Sequence, residues 1–294
     1  MQNGSPESPP STPGVQLSAD STMGHLEVRG VGKIYDPEGA RVEALKKCSL
    51  DIPAGDFIAI VGPSGCGKST LLNILAGFDN LTDGDVLMDG EPLATLDDPP
   101  KPGSDRVVVF QNGALFPWKT VLQNVVYGLV VKKQMPESEA NDMGMDLLAR
   151  TGGLDRIAQV FPGQLSSGMQ RRVEILRALI NNPRILLLDE PFRAMDTVSK
   201  TNMHQHLLDI YDTYHKTVFF ITHDLDEAIF LADTVVVMTT RPGTIKLRLN
   251  IDLPRPRNRH TITSQQFMEL KQHAVSAVHE EAKKAFERGE RELA

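Results

Sequence analysis

Residues 62–70, GPSGCGKST, have the types and spacing that bind a polyphosphate. They fit the pattern G-x-x-x-x-G-K-[ST] and lie between an apolar run, DFIAIVG, and a helical segment, LLNILAG. Glycines let backbone N–H groups close around phosphate oxygens, Lys68 neutralises phosphate charge, and Ser69 offers a hydroxyl to Mg²⁺. A chance glycine turn is disfavoured by this strand and helix context. The predicted phosphate-binding residues are Gly62, Pro63, Ser64, Gly65, Cys66, Gly67, Lys68, Ser69 and Thr70.

Two adjacent carboxylates end a second apolar run, ILLLDEP. Asp189 is suited to hold Mg²⁺ through water, and Glu190 to polarise a water for in-line attack on a γ-phosphate. A buried strand with a polar exit would give the same pattern. Paired with the phosphate-binding loop, however, the two acids predict the other half of a nucleotide site.

A second phosphate-type turn opens the segment LSSGMQRRVEILRAL at Leu165. Serine and glycine before a helix expose backbone N–H groups to an anion. A plain serine N-cap is the alternative. The chain thus has two segments of phosphate-binding character, although one loop already suffices for one nucleotide.

The composition limits the kind of protein that the 294 residues encode. With 40% hydrophobic and 23% charged residues, we expect one sizeable core with a subsidiary lobe. A formal net charge of -7 disfavours a nucleic-acid binder, so no nucleic-acid partner is expected. The two cysteines, Cys48 and Cys66, do not form a disulfide framework, which fits the cytosol.

The chain is not expected to cross a membrane. Its longest apolar stretches, such as VVYGLVV and TVVVM, are far shorter than the roughly 18 residues that a spanning helix needs. The first 22 residues lack an apolar run and any Lys or Arg, which argues against a signal peptide. Their Pro, Ser and Gly content predicts a disordered tail over residues 1–23.

Apolar runs that alternate with helical patterns predict an α/β core. Strands are expected in LEVRGVGKIY, EALKKCSLDI and DFIAIVG, and again in RILLLDE, TVFFIT and TVVVM. The pattern between about residues 112 and 180 is helical and predicts an inserted lobe, including a helix in ESEANDMGMDLLAR. The predicted main domain is 24–253.

The segment 254–294 is predicted to form a linker and a C-terminal helix. A Pro- and Arg-rich stretch is followed by apolar residues at helical spacing. These residues are Phe267, Leu270, Ala274, Val278, Ala282 and Ala285.

In their order, these motifs resemble the nucleotide-binding subunit of an ATP-binding cassette (ABC) transporter, from about residue 26 to residue 253. The resemblance implies an α/β, P-loop NTPase core of ABC type, with an antiparallel β subdomain and an inserted α-helical subdomain. It also implies an ATPase that uses ATP and Mg²⁺. The implied catalytic residues are Lys68, Gln111, Glu190 and His223, and the implied Mg²⁺ ligands are Ser69, Gln111 and Asp189.

Individual family roles are implied for four positions. Tyr35 matches the aromatic residue that stacks on adenine, although a strand aromatic that fills the core is the alternative. Gln111 in VVVFQN matches the glutamine that senses Mg²⁺ and water and links the site to the helical lobe. His223 in ITHDLDEA matches the histidine that contacts the γ-phosphate, and Asp196 in FRAMD matches an acid that reaches the partner subunit.

LSSGM resembles the family signature, usually LSGGQ or LSGGM, which binds the γ-phosphate held by the other subunit. Ser166 and Gly168 are therefore expected to contact the partner's ATP in a head-to-tail dimer. Ser167 departs from the usual glycine and adds a Cβ near phosphate. Arg193 and Met195 depart from the usual FGALD, and Arg193 is expected near the dimer seam. No catalytic group is lost, so we expect an active ATPase.

LFPWKTVLQNVVYGL, TTRPGTI and DLPRPR resemble segments of importers for nitrate, sulfonate, taurine and related oxidised anions. The implied partners are a membrane permease and, through it, a periplasmic or extracellular solute-binding protein. The implied location is the cytoplasmic face of the inner or plasma membrane, as a peripheral subunit. Phe116, Pro117 and Trp118 are the expected docking site for the permease, and burial of Trp118 in the lobe core is the alternative.

Two other functions agree less well with the sequence. A soluble ABC ATPase that acts on DNA or ribosomes usually has paired domains, coiled-coil insertions or a basic surface, and none is evident in the sequence. A small-molecule phosphotransferase with the same loop leaves LSSGM and His223 unexplained.

Overall fold

The computed structural model describes residues 23–36, 38–193 and 195–287. The tail predicted for residues 1–23 lies, except for Met23, outside them. The strands are β1 (Leu26–Tyr35), β2 (Val42–Ile52), β3 (Phe57–Val61), β4 (Asp83–Met88), β5 (Glu91–Ala94), β6 (Arg106–Val109), β7 (Ile185–Asp189), β8 (Thr217–Ile221), β9 (Thr234–Met238) and β10 (Ile245–Asn250). The helices are α1 (Lys68–Ala76), α2 (Val121–Val131), α3 (Glu137–Arg150), α4 (Ser167–Leu179), α5 (Thr197–Tyr214), α6 (Leu225–Leu231), α7 (Arg259–Ile262) and α8 (Gln265–Glu287).

The larger sheet has the strand order β10-β9-β3-β8-β7-β6. Its strands from β9 to β6 are parallel, and β10 pairs antiparallel with β9 at the edge. Strands β3, β8 and β9 are buried along their whole length, which explains their continuous apolar sequences. The strands predicted from those sequences are confirmed.

A smaller antiparallel sheet, β2-β1-β4-β5, covers one side of α1. Helix α1 buries Leu71, Leu72, Ile74 and Leu75 in a cluster that includes residues of both sheets. The helix ends where Gly77 adopts a left-handed conformation (φ 80), as expected of a glycine C-cap. The phosphate-type loop before α1 is thereby anchored between two sheets.

Helices α2, α3 and α4 lie between β6 and β7 in the chain. Thr120 and Gln123 form a capping box that starts α2, and α2 packs against both α3 and α4. Leu147, Leu148 and Leu176 contribute to their shared core. The antiparallel sheet and the inserted helices are those of the expected α/β architecture.

The stretch before the C-terminal helices is fixed to the main body by one buried side chain. Arg257 is 2% exposed and donates hydrogen bonds to carbonyl oxygens that include those of Phe230 (3.1 Å) and Ala232 (2.7 Å). Helix α8 then packs against α6, β9 and β10. Across the described residues, none of the helices has the length and apolarity needed to span a bilayer.

Helix α8 confirms the predicted C-terminal helix but uses only part of its apolar spacing. Phe267 and Ala274 are buried, Leu270 and Val278 are partly buried, and Ala282 is exposed. Near its end the helix is held by charge, since Glu281 is buried and accepts hydrogen bonds from Lys246 Nζ (2.8 Å) and the Thr240 backbone (3.0 Å).

We expect Phe267→Ala to lower the free energy of unfolding by about 3–5 kcal/mol, because the ring is 1% exposed and its loss leaves a cavity. Chemical denaturation measures the change. Phe286→Ala in the same helix is the matched control, because that ring is 84% exposed. Equal effects of the two substitutions would contradict the packing of α8 described above.

Candidate functional site

The proposed nucleotide residues follow neighbouring parallel strands of the larger sheet. Ile60 in β3 and Asp189 in β7 both pair with Ile221 in β8, so the three strands end at the same level. The phosphate-type loop, Glu190 and His223 come directly after these positions. Carboxyl ends of parallel strands form the usual ligand edge of such a sheet.

The backbone of the phosphate-type loop requires glycine at two points. Gly65 has φ 74 and Gly67 has φ 97, both in the left-handed region. A Cβ on Gly67 would also lie 2.7 Å from Leu45 Cδ2. Lys68, which is 5% exposed, donates from Nζ to the carbonyl oxygens of Gly62 (2.9 Å) and Pro63 (3.0 Å). The lysine therefore stands inside the loop, where a phosphate charge would meet it.

Ser69 and Asp189 join the loop to the end of β7. Ser69 Oγ donates to Asp189 Oδ1 at 3.4 Å. Burial raises the pKa of the Asp189 carboxyl above its ordinary value, while the Ser69 hydrogen bond opposes this rise. A desolvated carboxylate beside a hydroxyl is an oxygen donor pair of the kind that Mg²⁺ takes together with phosphate oxygens and water. These residues fit that ion.

Glu190 is fixed by both of its carboxylate oxygens. His223 Nε2 lies 2.6 Å from Oε1, and Arg193 Nη1 donates to Oε2 at 3.2 Å. The Glu190 backbone has φ 44, an uncommon conformation for a non-glycine residue. Burial, then the charge of Lys68, lowers the pKa of His223, which favours its neutral imidazole at pH 7.

Tyr35 is at the end of β1 beside the start of α1. Its hydroxyl donates to Asp79 Oδ2 (2.6 Å) and more weakly to Thr70 Oγ1 (3.4 Å), while Lys33 Nζ lies 4.8 Å from the ring centre. Because the residue is 38% exposed, the core-filling alternative is wrong. Stacking of the exposed part of the ring on a base stays a prediction.

LSSGM occupies the N-terminus of α4. Ser166 caps the helix by accepting from the Met169 backbone N–H at 3.3 Å, and Ser166 and Ser167 are exposed. A Cβ on Gly168 would meet Ser199 Cβ at 4.0 Å, in ordinary contact. Within the described ranges, no hydrogen bond or ion pair joins residues 165–168 to residues 62–70. Ser166 therefore is a helix N-cap, as the alternative interpretation stated. The turn is also exposed, so it is accessible to a ligand held by another molecule.

Three side-chain contacts were not predicted from the sequence. Arg193 was expected at a dimer seam, not on Glu190, and Asp196 caps α5 by accepting from the backbones at 198 and 199. Arg171 and Glu174 form a buried ion pair in α4, and opposite charges three residues apart in a helix were the signal for it. Cys66 is buried, and this burial raises the pKa of its thiol, so the thiol is not activated as a nucleophile.

Comparison with known proteins identifies this constellation. A family model described as ABC transporter matches residues 45–193. The chain belongs to the ABC transporter family. It is 44% identical over 260 residues to the uncharacterized ABC transporter ATP-binding protein MJ0412 of Methanocaldococcus jannaschii. The matched region covers 88% of this chain and 93% of MJ0412.

Other similar proteins carry more specific names. The chain is 43% identical to the taurine import ATP-binding protein TauB of Rhizobium johnstonii, over 82% of this chain and 91% of TauB. It is 42% identical to the bicarbonate transport ATP-binding protein CmpD of Synechocystis sp., over 83% of this chain and 85% of CmpD. A solved dimeric structure of the ABC transporter cassette MJ0796 superposes with a TM-score of 0.66 at 33% identity, covering 77% of this chain and 98% of that one.

These similarities confirm the predicted ABC-type α/β fold and the ATPase activity of the cassette. Another structure of the MJ0796 cassette is described as dimeric and bound to ADP and phosphate. Together, the cassette dimers and the import subunits imply a partner ATPase and a membrane component.

We expect Glu190→Gln to keep ATP affinity and to lower kcat by at least about 100-fold, because the amide keeps the volume of the side chain but cannot accept a proton from water. Equilibrium ATP binding and steady-state ATPase assays measure the two effects. Glu281→Gln, which alters a buried glutamate on α8, is the matched control. A Glu190→Gln enzyme with wild-type kcat would remove Glu190 from catalysis.

Proposed function

We propose that this chain is the ATP-hydrolysing subunit of an ABC importer for a small oxidised anion such as nitrate, a sulfonate or taurine. The observation that carries the proposal is that the residues suited to bind phosphate lie at two separate places in the chain. Ser69, Asp189, Glu190 and His223 converge at one sheet edge, while the exposed LSSGM turn lies on another helix. Among the similar proteins named above, the taurine import protein TauB supports the direction of transport and the class of substrate.

In this proposal the phosphate-binding loop and Lys68 hold the phosphates of ATP, and Tyr35 stacks on adenine. Ser69, Gln111 and Asp189 would hold Mg²⁺, which supplies positive charge to the phosphate oxygens. Glu190 accepts a proton from the attacking water, and His223 orients its carboxylate while lying beside the γ-phosphate position. The proposed domain bounds are 24–253 for the ATPase, with a helical subdomain at about 112–180, and 254–294 for the linker and C-terminal helix.

The proposed dimer is head-to-tail, with Ser166 and Gly168 of each chain on the ATP of the partner. Backbone N–H groups at the start of α4 are oriented toward an incoming anion, and the helix dipole adds positive potential. One chain then holds two half-sites and needs a second copy to complete either.

The proposed permease surface consists of aromatic residues near the Gln111 loop, namely the exposed Trp118 and the partly buried Phe116 and Tyr127. Trp118 is 71% exposed, so the alternative that it fills the lobe core is wrong. Its ring lies 5.7 Å from that of Phe116, which lies 4.6 Å from that of Tyr127. Phe116 and Tyr127 line a cavity of about 410 Å³ that also reaches Phe110. Clustered aromatic residues of this kind are typical interface anchors.

A permease contact at this surface would place the chain on the cytoplasmic face of the membrane as a peripheral subunit, with a solute-binding protein reached through the permease. The alternative, a soluble ABC ATPase that is not coupled to transport, leaves the exposed Trp118 without a partner. Binding to permease-containing membranes distinguishes the two functions.

The dimer is tested by mixing two inactive variants, Lys68→Ala and Gly168→Asp. The first spoils a chain's own phosphate loop, and the second places a carboxylate against the partner's γ-phosphate. Each homodimer has both sites broken, whereas a mixed dimer joins the intact loop of one chain to the intact LSSGM of the other. With random pairing and independent sites, we expect ATPase activity to return to about a quarter of wild type.

The control is a dimer of one wild-type chain and one chain that carries both substitutions. It has no complete site if LSSGM acts on the partner and one complete site if LSSGM acts within its own chain. Robust ATPase from this control, purified through two different tags, would contradict the head-to-tail arrangement.

The permease surface is tested with Trp118→Ala. We expect the isolated subunit to keep its ATPase activity and to bind permease-containing membranes at least about tenfold more weakly, as loss of an aromatic anchor does. Phe286→Ala removes an aromatic ring on α8 that is even more exposed, at 84%, and this variant should bind normally. Unchanged membrane binding by a folded Trp118→Ala subunit would place the docking surface elsewhere.

A further inference from the structure

The loop that carries Gln111 is tied to α4 by a buried arginine. Arg171 Nη1 donates to the carbonyl oxygen of Phe110 at 2.7 Å, and Nη2 donates to that of Gln111 at 2.7 Å. The same Nη1 group donates to Glu174 Oε2 at 2.6 Å. Arg171 thus holds two successive backbone carbonyls of the loop and one carboxylate with a single planar fork.

Glu174 completes the attachment from the other side of the loop. Its Oε1 accepts from the Ala114 backbone N–H at 2.5 Å, and Gly113 leaves room, since a Cβ there would lie 3.2 Å from the same oxygen. Arg177 Nη1 donates to the Ala114 carbonyl at 2.8 Å. Residues 110–114 are therefore bound to one face of α4 through backbone atoms, whatever the Gln111 side chain does.

The same helix presents LSSGM at its N-terminus. Ser166 is the N-cap, and Arg171 follows it by little more than one turn. A helix of this length moves as a rigid body. A displacement of the Gln111 loop, which is bound to Arg171 and Glu174, therefore also displaces Ser166 and Gly168 at the N-terminus of α4.

Stability alone does not explain the pair. Arg171 is 7% and Glu174 4% exposed, and desolvation of such charges offsets much of their attraction, so buried ion pairs are often replaceable by uncharged groups without loss of stability. Because burial of this ion pair costs free energy and its hydrogen bonds are made to the Gln111 loop, we look to the function of that loop for the role of the pair.

We propose that Arg171 and Glu174 are positioning residues that couple the Gln111 loop of a chain's own nucleotide site to the LSSGM turn that it offers to its partner. The inference rests on the proposed roles of Gln111 and of Ser166 and Gly168. Occupation of one site then sets the position of the turn that completes the other site, and the charged pair transmits the change.

The test replaces both charges together, as Arg171→Gln with Glu174→Gln, in the Glu190→Gln background and in wild type. The paired substitution leaves no unpaired buried charge and keeps polar groups of similar length. ATP affinity of the monomer, ATP-dependent dimerisation by sedimentation, and kcat are measured. We expect monomer affinity to stay within about twofold and dimerisation to weaken by about tenfold or more, with kcat falling in parallel.

The matched control is Lys246→Gln with Glu281→Gln. Glu281 is also a buried glutamate that accepts from a cationic side chain and from a backbone N–H, but it lies on α8. Any effect common to both paired variants reflects lost stability. Equal dimerisation and kcat in the two would overturn the proposal.

Two single variants keep the test decisive if the paired variant does not fold. Glu174→Gln retains an oxygen for the Ala114 N–H but loses its charge, and Arg171→Lys retains the charge but replaces the planar fork with one ammonium group. We expect both to fold, to bind ATP and to dimerise more weakly. Normal dimerisation by both would reject the coupling, whereas a wild-type chain that neither binds nor hydrolyses ATP would instead reject the proposed function.

Discussion

The contact between Ser69 and Asp189 depends on one geometric constraint, the parallel register of β3, β8 and β7. Because side chains alternate and strands end at a fixed level, a shift of one residue in this pairing would move Asp189 to the opposite face. The hydroxyl and carboxylate meet at 3.4 Å only in the observed register. The buried apolar strands therefore do more than form a core, since they set the distances of the chemical groups that follow them.

Charge is distributed unevenly around this edge. Asp189 and Glu190 both come out of water in a region that also holds Lys68, so the acids and the cation limit each other's desolvation cost. On α4, by contrast, Arg171 and Glu174 neutralise each other. Their other hydrogen bonds are made to backbone groups of the Gln111 loop. The first cluster is arranged for a phosphate ligand, while the second is already satisfied within the chain. That difference separates groups that bind from groups that position.

The sequence was sufficient to predict those features that are determined by residues adjacent in the chain. Apolar runs predicted β3, β7, β8 and β9, and the glycine pattern predicted a loop between β3 and α1, because both depend on adjacent residues. The pairing of Arg193 with Glu190 could not be predicted, since it forms within the turn after β7 and apolar periodicity does not describe the conformation of a turn. Exposure of Trp118 and Tyr35 was equally undecided, because burial depends on which elements fold over a residue.

Helix α8 shows why periodicity predicts an element better than its contacts. Apolar spacing predicted the helix, yet only its first half packs through apolar side chains, at Phe267 and Ala274. Its second half is held by Glu281, which a pattern of apolar residues cannot reveal. The partner of Glu281, Lys246, belongs to β10, the edge strand of the larger sheet. A ring at one end and a buried charge at the other therefore hold α8 against β9 and β10, at the end of the sheet opposite to β6.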